Sequence, residues 1–449
     1  MAVFCAAVIA AGWPWTHVLI GDRMHPVVRV SFGYLIGAAL VTLAELGAAF
    51  LHIPIVRGTV LACLVGVFAV GLVLARRGRD RDSETVPGPM RWAYALFVPI
   101  GVVMAAIAGQ AVENGAPDHV DFLRAWGKKG LEVFTDHNLN FAHLGGPHGY
   151  YPLEISNLFG SFYLLRGRPD DSVIRVELAL FALALVPVMW WMCRRILPPV
   201  SSAGAIALAV CLPQFILHAS RGQADLAMGV YITITVLACY LWLLDGDDRY
   251  AGLAGFAGGA AAWTKLEGAF TAAAILVVVV LVRRSLRSPG LYVALSWFVV
   301  FVVPWKLFQR IHHINFNNRH FAKLYLDVPW ILRHVTESLT TFSHWGVFWP
   351  LTLAVIALTA PLWWRSPFRM LAYLTLPNLI FNLAGFVTQY RAGEANSVTA
   401  TASRLYLHLA PSVAVMAAAG ATLAVAAVLA SRRAEPEPAT ATPPVPEPT

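Results

Sequence analysis

Long apolar runs separated by short polar turns repeat along most of the chain. They fall near residues 2–20, 28–52, 57–75, 91–112, 172–193, 201–217, 225–244, 250–263, 268–282, 290–308, 344–362, 369–388 and 406–430. A helix of roughly 17–25 apolar residues crosses a bilayer, so the pattern predicts about thirteen spans. Two runs, 250–263 and 268–282, are short for a full crossing, and "TKLEG" (Thr264–Gly268) stands between them. The first run carries Pro14 and lacks a basic leader or a clear cleavage site, so it reads as a membrane segment.

The polar turns differ in charge. Arg76, Arg77, Arg79 and Arg81 follow one span, and Arg194 and Arg195 another. Arg249, the group Arg283, Arg284 and Arg287, the pair Arg365 and Arg369, and the pair Arg432 and Arg433 complete the set. With alternating spans all of these fall on one side, which the positive-inside bias assigns to the cytoplasm. The opposite side then carries three connections, residues 113–171, 309–343 and 389–405, together with the turns "HASRGQAD" and "TKLEG". The Pro-rich tail after Arg433 has almost no apolar residues and reads as a disordered cytoplasmic segment.

Composition agrees with a membrane chain. Of the 449 residues 58% are hydrophobic and 13% charged, against about 25% charged in soluble proteins. The net charge of +8 is accounted for by the loop arginines, and no basic, aromatic-interleaved soluble patch points to nucleic acid. Cys5, Cys63, Cys193, Cys211 and Cys239 lie in or beside apolar runs without a C-x-x-C spacing, so neither disulfides nor zinc are indicated.

Candidate chemistry collects on the side opposite the arginines. The first loop opens "GAPDHVDFLRAWGKKGLEVF". Asp118 and Asp121, three apart, share a helix face, with Arg124, Lys128 and Lys129 nearby. Val120, Leu123, Leu131 and Phe134 form an apolar stripe suited to a membrane surface. This is either a solvated amphipathic helix or a carboxylate base beside cations. Tyr150 and Tyr151 precede a helix expected at about 153–165 and serve either as membrane anchors or as a ligand platform.

In "HASRGQADLAMGVY", Arg221 and Asp225 stand where a helix begins, and Asp225 is either a cap and dipole partner or a site residue. The 309–343 loop gathers Arg310, His312, His313, Arg319, His320 and Lys323, an anion-binding lining more than a metal site. Arg404 and His408, four apart, share a face where the last span starts. "DGDD" (Asp245, Asp247, Asp248) is explained by turn chemistry in a short cytoplasmic connection. There is no Walker A, dinucleotide fingerprint, H-E-x-x-H or G-x-S-x-G.

The order of these motifs resembles the membrane glycosyltransferases of the C type (GT-C), in particular the bacterial protein-mannosyltransferase and aminoarabinose-transferase group. The similar stretches are the acidic opening of the first loop with Trp126, Lys128 and Lys129, then "HGYYPLEI", "QADLAMGVY", "TKLEG" and "SRLYLHLAP", over residues 91–410. The chain departs from the pattern in lacking an Asp–Glu pair in the first loop, so Asp121 and Asp118 both stand as the catalytic base.

The resemblance implies an all-α polytopic bundle of about 11–13 transmembrane helices with an extracytoplasmic catalytic face. It divides the chain into extra helices at 1–90, a catalytic core at 91–431 and a tail at 432–449. It implies a bacterial cytoplasmic-membrane enzyme that moves a sugar from a polyprenyl-phosphate donor to a lipid, glycan or protein hydroxyl, with inversion. No cofactor is expected, and no spacing indicates a divalent metal.

The chemistry is consistent with the residues. A loop aspartate takes the acceptor's proton. The lipid-phosphate leaving group needs only cations, supplied by Lys265, Arg404 or Arg221 with His408. Tyr150, Tyr151, Glu267, Asp225, Trp126 and Lys128 remain for substrate contact. Two other readings stay open: an O-antigen-ligase-like enzyme using Arg310 and Arg319, and a lipid-linked sugar flippase, which predicts midplane charges and an internal repeat.

Overall fold

The computed structural model describes residues 1–21, 24–77, 93–113, 115–117, 119–139, 149–283, 286–314, 327–389 and 395–434. Among these the chain is helical throughout, with no strands, and ten helices are long and apolar enough to cross a membrane. It is an all-α polytopic membrane protein. Asp118, Arg319, His320, Lys323 and the Pro-rich tail beyond Ala434 lie outside the described residues.

The helices run in chain order as α1 (Ala2–Leu19), α2 (Pro26–Phe50), α3 (Arg57–Arg77) and α4 (Ala93–Glu113), then the loop helices α5 (Gly127–Asp136) and α6 (Glu154–Arg166). They continue as α7 (Arg175–Cys193), α8 (Pro199–Val210), α9 (Pro213–His218), α10 (Asp225–Asp245), α11 (Asp248–Thr264), α12 (Leu266–Arg283) and α13 (Pro289–Ile311). The last six are α14 (Val328–Thr340), α15 (Phe342–Trp345), α16 (Phe348–Trp364), α17 (Arg369–Gln389), α18 (Ala395–Leu405) and α19 (Ala410–Ala434). The expected helix at about 153–165 is α6.

Two expected spans are broken. The 201–217 run divides into α8 and α9, because Pro213 lacks the N–H that would continue α8. The 344–362 run divides into α15 and α16 at Gly346, whose φ of +56° ends a right-handed helix. Both breaks leave a short helix at the same end of the bundle, and α9 and α15 pack together there.

The two ends differ in chemistry. At one, Arg195 Nε donates to the Tyr250 hydroxyl at 2.9 Å, Arg249 Nε to Asp247 at 2.7 Å, and Arg283 Nη2 to the Trp242 carbonyl at 2.9 Å. The Arg195 and Arg283 contacts close the last turns of α7, α10 and α12, where cations meet the negative helix ends, and the Arg249–Asp247 contact lies at the start of α11. Lys265 follows the other end of α11. The 17 residues of that helix separate it from Arg249 by about 25 Å. The bundle core between the ends is apolar, centred on α10, which packs against α7, α11 and α12 and is buried along nearly its whole length.

Candidate active site

α11 and α12 are joined by one residue. Lys265 is extended (φ −153°, ψ 149°) between Thr264 and Leu266. Gly268 allows the reversal by close approach: a Cβ there would lie 2.1 Å from the Ala261 carbonyl oxygen. The turn is buried, so its charges need partners. Lys265 Nζ donates to Asp225 Oδ1 at 2.9 Å and lies 3.7 Å from Glu267 Oε1. The Tyr151 hydroxyl donates to the same Glu267 oxygen at 3.3 Å. Burial alone would lower the Lys265 pKa, but Asp225 and Glu267 outweigh it and hold the ammonium above its ordinary value.

Asp225 is the first residue of α10, yet the N-terminus of that helix has no side-chain cap. Its carboxylate turns instead to Lys265, with His408 Nε2 at 3.6 Å. His408 sits in a tight turn between α18 and α19, packed on Gly229 of α10. Its burial pushes the imidazole pKa down, against the pull of Asp225.

A second carboxylate is placed from the first loop. A single π-turn, Phe122–Trp126, leads into α5. Phe122, Ala125, Trp126, Lys129, Gly130 and Val133 are buried on one face, while Val120, Leu123 and Leu131 stay exposed on the other. Asp121 begins this turn. Its Oδ2 pairs with Arg404 Nη1 and accepts from Gln223 Nε2 at 2.9 Å. The Asp121 backbone N–H donates to His119 Nδ1 at 3.1 Å. Gln223 reaches Asp121 because the α9–α10 turn packs on the Phe122 ring. Gly222 there has φ +78°, and a Cβ would sit 2.7 Å from that ring. Arg175 secures the loop from behind, donating to the carbonyls of Gly115, Ala116 and Ser220 at 2.8, 2.7 and 3.0 Å.

The expected residues thus come from five parts of the chain. Asp121, Asp225 and Glu267 meet Lys265 and Arg404. Arg221 lies in the α9–α10 turn, near enough to His119 and His218 to disfavour their protonation. Trp126 packs on Tyr151 with centroids 5.3 Å apart, and Tyr150 stacks on Tyr151 at 4.8 Å. The Tyr150 carbonyl accepts from Gln309 Nε2 at 2.7 Å and Trp305 Nε1 at 3.3 Å. Arg404 and His408, expected to share a face, serve different carboxylates.

Lys128 does not join the cluster. Its side chain is half exposed, beside Glu132 one turn on. Lys129 is the buried one, donating to the Tyr151 carbonyl at 3.0 Å and lying over the Trp126 ring. Burial pulls its pKa down to about 7. Lys129 is i+3 from Trp126 and i+7 from Phe122, a spacing that already places it on the apolar face. Gln223 and Arg175 had no such signal, since their partners are remote in sequence, and His119 had none because its partner is a backbone N–H.

Beneath the turn, Glu154 joins α6 to α10 and α11. The Tyr231 hydroxyl is 2.7 Å from both Glu154 Oε1 and the Leu35 carbonyl, and the Thr264 hydroxyl contacts Glu154 Oε2 and the Ala260 carbonyl. Each hydroxyl has one proton for two acceptors. A protonated Glu154 supplies one further proton and so relieves one of the two hydroxyls, in keeping with burial raising its pKa to about 8. Among the described residues no group of three or more His, Cys, Asp or Glu is arranged to hold a metal ion.

This arrangement defines a charged, aromatic-walled site at one end of a membrane helix bundle. Residues 152–308, about a third of the chain, match the family model of the dolichyl-phosphate-mannose-protein mannosyltransferases. The resemblance to the protein-mannosyltransferase group is shown over that region, and it supports a membrane glycosyltransferase of the GT-C type. The matched region holds Arg221, Gln223, Asp225, Lys265 and Glu267, while Asp121 and Arg404 lie on either side of it. No curated protein and no solved structure matches the chain.

Proposed function

We propose that the protein transfers a sugar from a polyprenyl-phosphate donor to a hydroxyl acceptor, with Asp121 as general base. The observation that carries this is the placement of Asp121. Arg404 and Gln223 both bind its Oδ2, and among the described residues no hydrogen bond reaches Oδ1. The side chain is partly exposed, unlike the buried Asp225. One oxygen is held and the other is free to meet an acceptor hydroxyl.

In the reaction the acceptor oxygen attacks the anomeric carbon and gives its proton to Asp121. The bond from that carbon to the phosphate oxygen breaks, and polyprenyl phosphate leaves as an anion without needing a proton. A single displacement inverts the anomeric centre. Lys265, Arg221 and Arg404 are the cations for the phosphate, with His408 beside them. Tyr150, Tyr151 and Trp126 form an aromatic wall for the substrate. Arginines at the far end of the bundle favour a site on the outer face of a bacterial cytoplasmic membrane.

The test is transfer from a defined polyprenyl-phosphate sugar by purified protein. Asp121→Asn keeps the shape and removes the base, so kcat falls about 10²–10⁴-fold with KM little changed. Retention of parental kcat in Asp121→Asn, with Asp118→Asn also in place, excludes the mechanism.

A further inference from the structure

Several buried polar atoms near the site have no hydrogen-bond partner among the described residues. Gln214 Oε1 and both ring nitrogens of His218 lie on α9, and Gln223 Oε1 lies just beyond it. His344 Nδ1 and Trp345 Nε1 lie on α15, and Trp349 Nε1 on the first turn of α16. Gln214, His218, Gln223, Trp345 and Trp349 are all more than nine-tenths buried. α9 is six residues long and α15 four, and the two pack together. Leaving one such atom unpaired costs free energy, and a native fold rarely keeps several at one junction without a use.

The chemistry of the set is specific. It offers indole N–H donors, amide-oxygen acceptors and imidazoles that do both. Burial drives the His218 pKa down to about 3, so that ring is neutral and presents one donor and one acceptor. Trp349 also stands edge-on to Trp345 and Tyr406, at 5.4 and 5.7 Å between centroids. None of Gln214, His218, Trp345 and Trp349 carries a formal charge at neutral pH. A phosphate finds its partners at Lys265 and Arg404 instead. What fits here is an uncharged ring bearing many hydroxyls, each both donor and acceptor, with apolar C–H faces for the aromatic rings.

We propose that the α9–α15 junction is a saccharide subsite next to the Asp121 carboxylate. Gln223 connects the two, holding Asp121 through Nε2 while its Oε1 remains for the ring. The atoms are covered by protein, so a ring enters as α9 and α15 part, and both helices border on the helix interruptions at Pro213 and Gly346. The subsite rests on the proposed sugar-transfer reading and names the group it recognises. That ring is either the sugar carried by the donor or a glycan acceptor.

The test uses the full chain in nanodiscs, with Gln214→Met and Trp349→Phe as variants. Gln214→Met replaces the amide, its unpaired Oε1 included, by an apolar chain of similar length, and Trp349→Phe removes the unpaired Nε1 together with part of the indole ring. Binding of methyl α-mannopyranoside is read by saturation-transfer NMR. Binding of polyprenyl phosphate, with and without a mannosyl group, is read by competition. Losing one hydrogen bond to the ring predicts about fivefold weaker saccharide binding in each variant. Thermal stability stays equal or rises in Gln214→Met and falls modestly in Trp349→Phe, whose smaller ring leaves a cavity, and binding of the bare lipid phosphate is unchanged in both.

A matching loss for mannosyl-phosphoryl polyprenol assigns the subsite to the donor sugar. A loss confined to the free saccharide assigns it to a glycan acceptor. Saccharide binding by the parent without any sugar transfer keeps the subsite and removes the proposed reaction. Variants that bind every probe like an active parent, or a parent that binds no saccharide with or without polyprenyl phosphate, overturn the subsite.

Discussion

The Lys265–Asp225 pair allows folding and function to be separated. The Asp225 and Lys265 side chains are 1% and 7% exposed, and they meet at 2.9 Å. Solvent screening is therefore slight. Asp225→Asn strands the ammonium beside Glu267, whose oxygen at 3.7 Å compensates only in part. Lys265→Met strands the carboxylate beside His408 at 3.6 Å, which can take up a proton. Removing one partner of a buried pair costs about 3–5 kcal/mol, and these secondary partners place each variant near about 3 kcal/mol.

The double variant removes both charges and leaves neither stranded. Its cost should not exceed that of one single variant, a coupling of about 3 kcal/mol. Reversible denaturation in mixed micelles, run as a four-member cycle, measures this. The double variant should regain stability but not activity, because the cation proposed for the lipid phosphate is gone. Additive single costs would refute the assignment of a buried pair. Activity returning together with stability would show that the pair serves only the turn.

Other consequences are as direct. Gly268→Ala drives a methyl group into the Ala261 carbonyl, so it should lower stability by at least about 1–3 kcal/mol and reduce the yield of folded protein on size exclusion. Lys128→Ala should leave transfer unchanged, whereas Lys129→Met, which unties the Tyr151 backbone, should raise KM; steady-state kinetics on both separates the neighbours. Burial lowers the His119 pKa from 6.5, with Arg221 and Arg404 adding to it against Asp121. As pH falls from 6.5 towards that lowered value the unfolded chain takes up the proton first, so native stability declines with pH. Protonated His119 also loses the lone pair that accepts from the Asp121 N–H, and a pH–rate profile should show an acid limb that flattens in His119→Gln.

Much of this architecture was legible in the sequence because it follows from local physics. Apolar run length located the helices, and the arginine turns identified one end of the bundle. "TKLEG" read as a reversal because Arg249 and Arg283 had to share a side. The misread spans failed at Pro213 and Gly346, where a backbone restriction inside an apolar run outweighed hydropathy.

Within the site, Lys265, Asp225 and Glu267 could be named from charge in an apolar setting. Their pairing could not, since it depends on how α10 and α11 dock. His119 and Gln223 were missed because neither residue type is unusual in a loop. Their importance comes from Arg175 and Phe122, which fix the loop and the turn against each other. Lys129 was within reach of the helical periodicity, which places it with Trp126 and Val133.

The Arg404–Asp121 contact spans 283 residues of chain. At a synthesis rate of about 5–20 residues per second, Asp121 emerges roughly 15–60 s before its cation exists. Lys265 follows Asp225 by only 40 residues, so that pair can close while the ribosome is still adding later helices. Assembly of the two carboxylate centres is therefore staged, the Lys265 turn first and the Asp121 centre last. A chain stopped before α18 would carry the inner pair complete and leave Asp121 without its arginine. On the proposed mechanism such nascent fragments should be inert in transfer until the final span is in place.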